Sequence, residues 1–122
     1  MAIATTTLRS NLNVYLTRNR NIIDKAPLDS IFDIILTRED ASEMKPSPEI
    51  FNKVIEKFGA SADECLIFED SLIGVEAANA ARIDAIAIYD ENSENDKQEI
   101  ARRSIAYLDG YKELLERLKL EF

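Results

Sequence analysis

Histidine is absent from the 122 residues, and cysteine occurs once, at Cys65. Without an imidazole the chain cannot build Ser-His or Cys-His nucleophilic sites, and most zinc sites are closed to it. A single cysteine excludes an intrachain disulfide. Cys65 lies inside an apolar run and reads as a small core residue. A reducing compartment, the cytoplasm, fits this usage. Cations are also in the minority: 15 Lys and Arg face 23 Asp and Glu, for a formal net charge of −8. That balance is the reverse of a nucleic-acid-binding footprint, and it reads first as a device for solubility. No apolar run approaches a membrane span, and the first residues lack a signal-peptide pattern. Neither nucleic acid nor a membrane is expected as a partner.

The composition that remains, 46% apolar and 31% charged, is that of an ordinary globular protein. The length suits one domain, residues 1–122, with a modest core. "MAIAT" reads as a short strand, and Leu8, Leu12, Tyr15 and Leu16 follow at helical spacing. "NRNIIDKAPLDS" is a loop or broken helix, "FDIIL" a second strand and "TREDASEMKPSP" a long loop. In "SPEIFNKVIEKFG", Ser47 is placed to cap a helix, Pro48 to open it and Gly59 to close it. Its apolar face is Ile50, Phe51, Val54, Ile55 and Phe58.

"ECLIF" is a third strand, apolar throughout as if covered on both faces. "SLIGVEAANAA" is a helix whose Gly74, Ala77, Ala78 and Ala81 permit close packing, and "DAIAI" is a fourth strand. Residues 89–96 read as loop, "DKQEIARRS" as a polar helix, "IAYL" as an edge strand and "GYKELLERLKL" as a closing helix. Strands alternate with helices throughout. The expected fold is therefore α/β: three layers, a mostly parallel Rossmann-like sheet with helices on both faces.

Ligands of such sheets bind beyond the carboxyl ends of the strands. Thr5 ends the first strand, Lys45 follows the second, and Glu69 and Asp70 end the third. Two adjacent carboxylates repel each other, and a hard cation such as Mg²⁺ relieves that repulsion. The plainer reading is that Asp70 or Ser71 caps the next helix. An ammonium serves as a point charge for phosphate, although a loop lysine alone is more often solvated. A threonine hydroxyl can donate to phosphate, or simply bond within its own turn. Hydroxyl, ammonium and Mg²⁺ on one anion would make a phosphoryl site that works by positioning and charge neutralisation.

These stretches resemble the haloacid dehalogenase-like hydrolase superfamily, in particular its β-phosphoglucomutase-like phosphatase branch. "AIATTT" is similar to the family's second motif, "MKPSPEIF" to its third and "CLIFEDSLIGVEAANAA" to its fourth. The resemblance implies that Thr5, Thr6 and Lys45 bind phosphate, with Thr5 and Lys45 in the catalytic set, and that Glu69 and Asp70 hold Mg²⁺. The substrate it implies is a small phosphorylated metabolite.

Two departures matter. Arg82 stands where the family has glycine after a helix, so local strain or a different cap is expected. Only Met-Ala-Ile-Ala precedes Thr5, so the family's first motif, the Asp-x-Asp that supplies nucleophile and general acid, is absent, as is the cap domain. The chain is thus expected to be a partial core domain, inactive alone, because phosphoryl transfer of this kind needs a nucleophile. The resemblance also implies a missing central strand between those bearing the second and fourth motifs, leaving backbone groups unpaired on both neighbours. A homodimer or a separate N-terminal fragment would complete the sheet. The alternatives are a non-catalytic Mg²⁺/phosphate-binding or partner-pairing module and a receiver-type phosphoacceptor domain; the motif order disfavours the last.

Overall fold

The computed structural model describes residues 1–119, apart from the side chain of Ile22. Five strands alternate with helices, as the apolar runs predict: β1 (Ala2–Ala4), β2 (Ile34–Leu36), β3 (Leu66–Glu69), β4 (Asp84–Ile88) and β5 (Ala106–Leu108). Between β1 and β2 lie α1 (Arg9–Arg18), α2 (Arg20–Lys25) and α3 (Leu28–Ile31), the broken helix expected around Pro27. α4 (Glu49–Phe58) links β2 to β3, α5 (Leu72–Ala80) links β3 to β4, and α6 (Lys97–Arg103) precedes β5. α7 (Tyr111–Arg117) follows β5. Residues 89–96, read as loop, carry a 3₁₀ segment at Glu91–Asp96.

All pairings are parallel, but the strands form two sheets, β1-β2 and β3-β4-β5. β1 faces β3 across a slot of about 820 Å³. α4 runs along one face of that slot, lining it with Phe51, Val54 and Phe58. A single apolar cluster nevertheless joins the two halves. It takes in Leu36 from β2, Ile50 and Phe51 from α4, Val75, Ala77 and Ala78 from α5, and Ala85 and Ala87 from β4. The small residues of α5 are what allow this: Ala77 and Ala78 are wholly buried where the helix meets its neighbours.

α4 ends as its sequence dictates. Gly59 takes φ 63, and Ala60 N–H returns to Ile55 C=O at 3.0 Å. Its start differs from expectation. Pro48, not Ser47, occupies the cap position, and Ser47 Oγ accepts from Glu49 N–H at 3.3 Å, one residue out of place. Arg82 does adopt the left-handed conformation, φ 59, while Ile83 N–H closes on Ala78 C=O at 3.0 Å. The cap is a left-handed one, formed by a residue with a Cβ at a cost of about 1–2 kcal/mol. The expectation that β3 is covered on both faces fails: Leu66 and Phe68, which share one face of the strand, are 46% and 42% exposed. Among the described residues, no helix is long and apolar enough to cross a membrane.

Candidate active site

The carboxyl ends of β1 and β3 share one rim, and Lys45 marks it. Its Nζ donates to Ala4 C=O at 3.3 Å, pairs with Glu69 Oε1, and lies 4.6 Å from the centre of the Phe51 ring. Only 8% of the side chain is exposed. This is not the solvated loop lysine of the plainer reading. An ammonium has three N–H groups; the two polar contacts use two and leave one to donate.

The loop that delivers Lys45 is pinned from both sides. Glu49, in the first turn of α4, accepts from the N–H groups of Ser42 at 2.9 Å and Glu43 at 2.7 Å. Those amides, with Lys53, hold the Glu49 carboxyl down to about 2. Upstream, Asp40 Oδ2 accepts from Thr37 N–H at 2.7 Å and from Arg9 Nη2 at 3.2 Å. The Thr37 amide, with the Thr37 hydroxyl and the neighbouring Arg9, holds Asp40 below the usual carboxylate range.

Glu69 turns inward. Its side chain is 11% exposed and lies so close to α5 that a Cβ on residue 74 would stand 2.0 Å from Oε2. Gly74 is there because the carboxylate occupies the space a side chain would need. Ser71 caps α5, accepting from Gly74 N–H at 3.3 Å. The capping role is thus filled without Asp70, which is exposed and has no hydrogen bond or ion pair among the described residues. Thr5 Oγ1 accepts from Thr7 N–H at 3.1 Å, the local turn bond expected of it, and its O–H remains free to donate. Thr6 beside it is exposed.

All five sequence-predicted residues therefore meet: Thr5, Thr6, Lys45, Glu69 and Asp70 line the same slot. Thr5, Thr6 and Lys45 also border a crevice of about 10 Å³ with Arg38. Sequence reading passed over Arg38, placing it in an undifferentiated loop. It lies two positions beyond the end of β2, so the rule that picked out Thr5 and Lys45 could have found it. Phe51, the aromatic floor beneath the Lys45 ammonium, was read only as part of an apolar face.

A divalent cation fits Asp70 better than it fits Glu69 as placed. Asp70 offers an uncommitted carboxylate, and Mg²⁺ commonly takes one or two carboxylates while keeping several waters. Glu69 is already engaged by Lys45. Among the described residues no group of three or more His, Cys, Asp or Glu side chains converges as a metal cage.

A family model described as haloacid dehalogenase-like hydrolase matches residues 1–88. Protein CbbY of Rhodobacter capsulatus is 29% identical over 96 residues, covering 79% of this chain and 40% of that protein. A phosphorylated carbohydrates phosphatase of Thermotoga maritima is 37% identical over 59 residues, covering 48% of this chain and 27% of its own length. The crystal structure of CbbY from Rhodobacter sphaeroides in complex with phosphate superposes with a TM-score of 0.78 at 29% identity, covering 98% of this chain and 51% of that one. The chain thus spans about half the length, or less, of the relatives it matches.

Proposed function

Since this chain belongs to the haloacid dehalogenase-like hydrolase family, we propose that its rim is the phosphate- and Mg²⁺-binding part of a phosphatase or phosphomutase site for small phosphorylated sugars. Residues 1–122 would be a single partial core domain. The observation that carries the reading is the meeting of Lys45, Thr5 and Asp70 at one edge of the molecule. The spare N–H of Lys45 and the free hydroxyl of Thr5 would donate to phosphoryl oxygens, with Thr6 beside them. Asp70 would hold Mg²⁺, with Glu69 as its neighbour, and the ion when bound would neutralise phosphoryl charge. The inward Glu69 keeps the Lys45 ammonium aimed. The phosphorylated carbohydrates phosphatase and the phosphate-bound CbbY favour a sugar phosphate as ligand.

Covalent transfer needs a carboxylate nucleophile, and no Asp-x-Asp occurs in the 122 residues. The chain by itself would therefore bind without turning over. Calorimetric titration tests this. Mg²⁺ binding should be lost in Asp70→Asn, and inorganic phosphate binding in the presence of Mg²⁺ should weaken in Thr5→Val and Lys45→Met. Mg²⁺ binding indifferent to Asp70, or hydrolysis of an aryl phosphate by the purified chain that Asp70→Asn abolishes, would overturn the proposal.

A further inference from the structure

We infer that Arg38 is a further phosphate-binding residue of this rim, donating to the phosphoryl group from the side of Lys45 opposite Asp70. The inference rests on the proposed phosphate site. Two spaces meet there. Thr5, Thr6 and Lys45 line both the slot and the small crevice, whereas Asp70 lines the slot alone and Arg38 the crevice alone. An anion seated on Thr5 and Lys45 therefore has Asp70 to one side and Arg38 to the other. The crevice, about 10 Å³, has room for one water-sized atom and not for a whole phosphate. That size selects an oxygen of the anion already on Lys45 over a second anion. A phosphoryl group can supply it, because its charge is spread over three oxygens. One would face the ion on Asp70, one the Lys45 ammonium and Thr5 hydroxyl, and one the Arg38 guanidinium.

The surrounding bonds fix Arg38 in place and leave its side chain available. Its N–H donates to Thr7 C=O at 3.2 Å, tying its backbone to the turn that carries Thr5 and Thr6. Thr37 before it is buried, with its N–H held by Asp40 Oδ2 at 2.7 Å. The two acids that follow are committed elsewhere. Glu39 accepts from Arg9 N–H at 3.1 Å, and Asp40 from Arg9 Nη2 at 3.2 Å. Arg38 is half-buried, and among the described residues its guanidinium has neither an ion pair nor a hydrogen bond. Acids outnumber Lys and Arg by 23 to 15, so the missing partner does not reflect a shortage of carboxylates. Glu43 also borders the crevice, but it is exposed and forms no ion pair with Arg38. The planar fork of a guanidinium matches phosphate oxygens, which suits the vacant donors to the anion the rim is proposed to hold.

The probe is inorganic phosphate, titrated calorimetrically into the purified chain in the presence of Mg²⁺. Arg38→Gln should weaken phosphate binding by about tenfold or more. Mg²⁺ binding without phosphate and the urea midpoint should stay as in the native chain. Arg38→Lys should recover only part of the loss, since an ammonium keeps the charge without the fork. Glu43→Gln should bind phosphate at least as tightly as the native chain, because a repelling carboxylate is gone. Chemical modification gives a direct readout: phosphate with Mg²⁺ should shield Arg38 from phenylglyoxal, followed by mass spectrometry, and leave the exposed Arg18 unshielded. Native affinity in Arg38→Gln beside weakened binding in Lys45→Met would overturn the inference and leave the proposed phosphate site standing. A parallel loss of Mg²⁺ affinity or of the urea midpoint in Arg38→Gln would also overturn it, by making Arg38 a structural residue. Phosphate binding indifferent to Arg38, Lys45 and Thr5 alike would sink both readings.

Discussion

Lys45 and Glu69 form an ion pair with little access to water, and removing one partner strands the other. Lys45→Met keeps most of the volume over Phe51 but leaves the Glu69 carboxylate uncompensated beside α5. We expect a loss of about 3 kcal/mol in urea unfolding, with much of it recovered in the Lys45→Met/Glu69→Gln double variant. Equal losses in the single and double variants would mean that the pair is not coupled. Phosphate binding should stay weak in both, because the ammonium is absent from both. At this scale the sequence was informative about identity and silent about aim. The position of Lys45 after a strand was visible. Its burial, its second partner at Ala4 and its aromatic floor came from residues 41 to 6 positions away, through contacts that spacing cannot show.

Single elements read well where local chemistry decides them. The αL glycine closing α4 and the small-residue face of α5 were legible because each needs a residue type that little else explains. Ser47 misled because the proline after it starts the helix one position later. The exposed face of β3 was not legible in its apolar run, which looks the same whether covered or not, whereas its open edge was expected from the resemblance, which implied a missing neighbour. Two element-scale outcomes follow. Gly→Ala inside a helix ordinarily gains about 1 kcal/mol. Gly74→Ala should instead destabilise α5, because Glu69 already occupies the space of a Cβ, and it should weaken phosphate binding by displacing Lys45. A higher melting temperature in that variant would refute the packing argument. The second concerns acid. Glu49 has a folded-state value of about 2, below its ordinary 4.5. Its contribution is therefore fully present above the ordinary value and lost as pH falls towards 2. Urea midpoints should decline over that window, and Glu49→Gln should flatten the decline; an unchanged acid limb would show that other carboxylates carry it.

At the scale of the molecule, two sheets without a shared backbone ladder are held to one another by side chains. The apolar cluster crosses from β2 to β4 by way of α4, and Phe51 sits at that crossing under the Lys45 ammonium. One core implies one transition: calorimetric and van't Hoff enthalpies should agree for the native chain. Phe51→Ala should cost about 3–5 kcal/mol and, more tellingly, drive the two enthalpies apart. If they stay equal, the halves communicate by another route. Cooperativity in this chain is therefore a property of the helices that bridge the sheets, and a lesion at the Phe51 crossing would leave two small subassemblies, each melting at its own temperature.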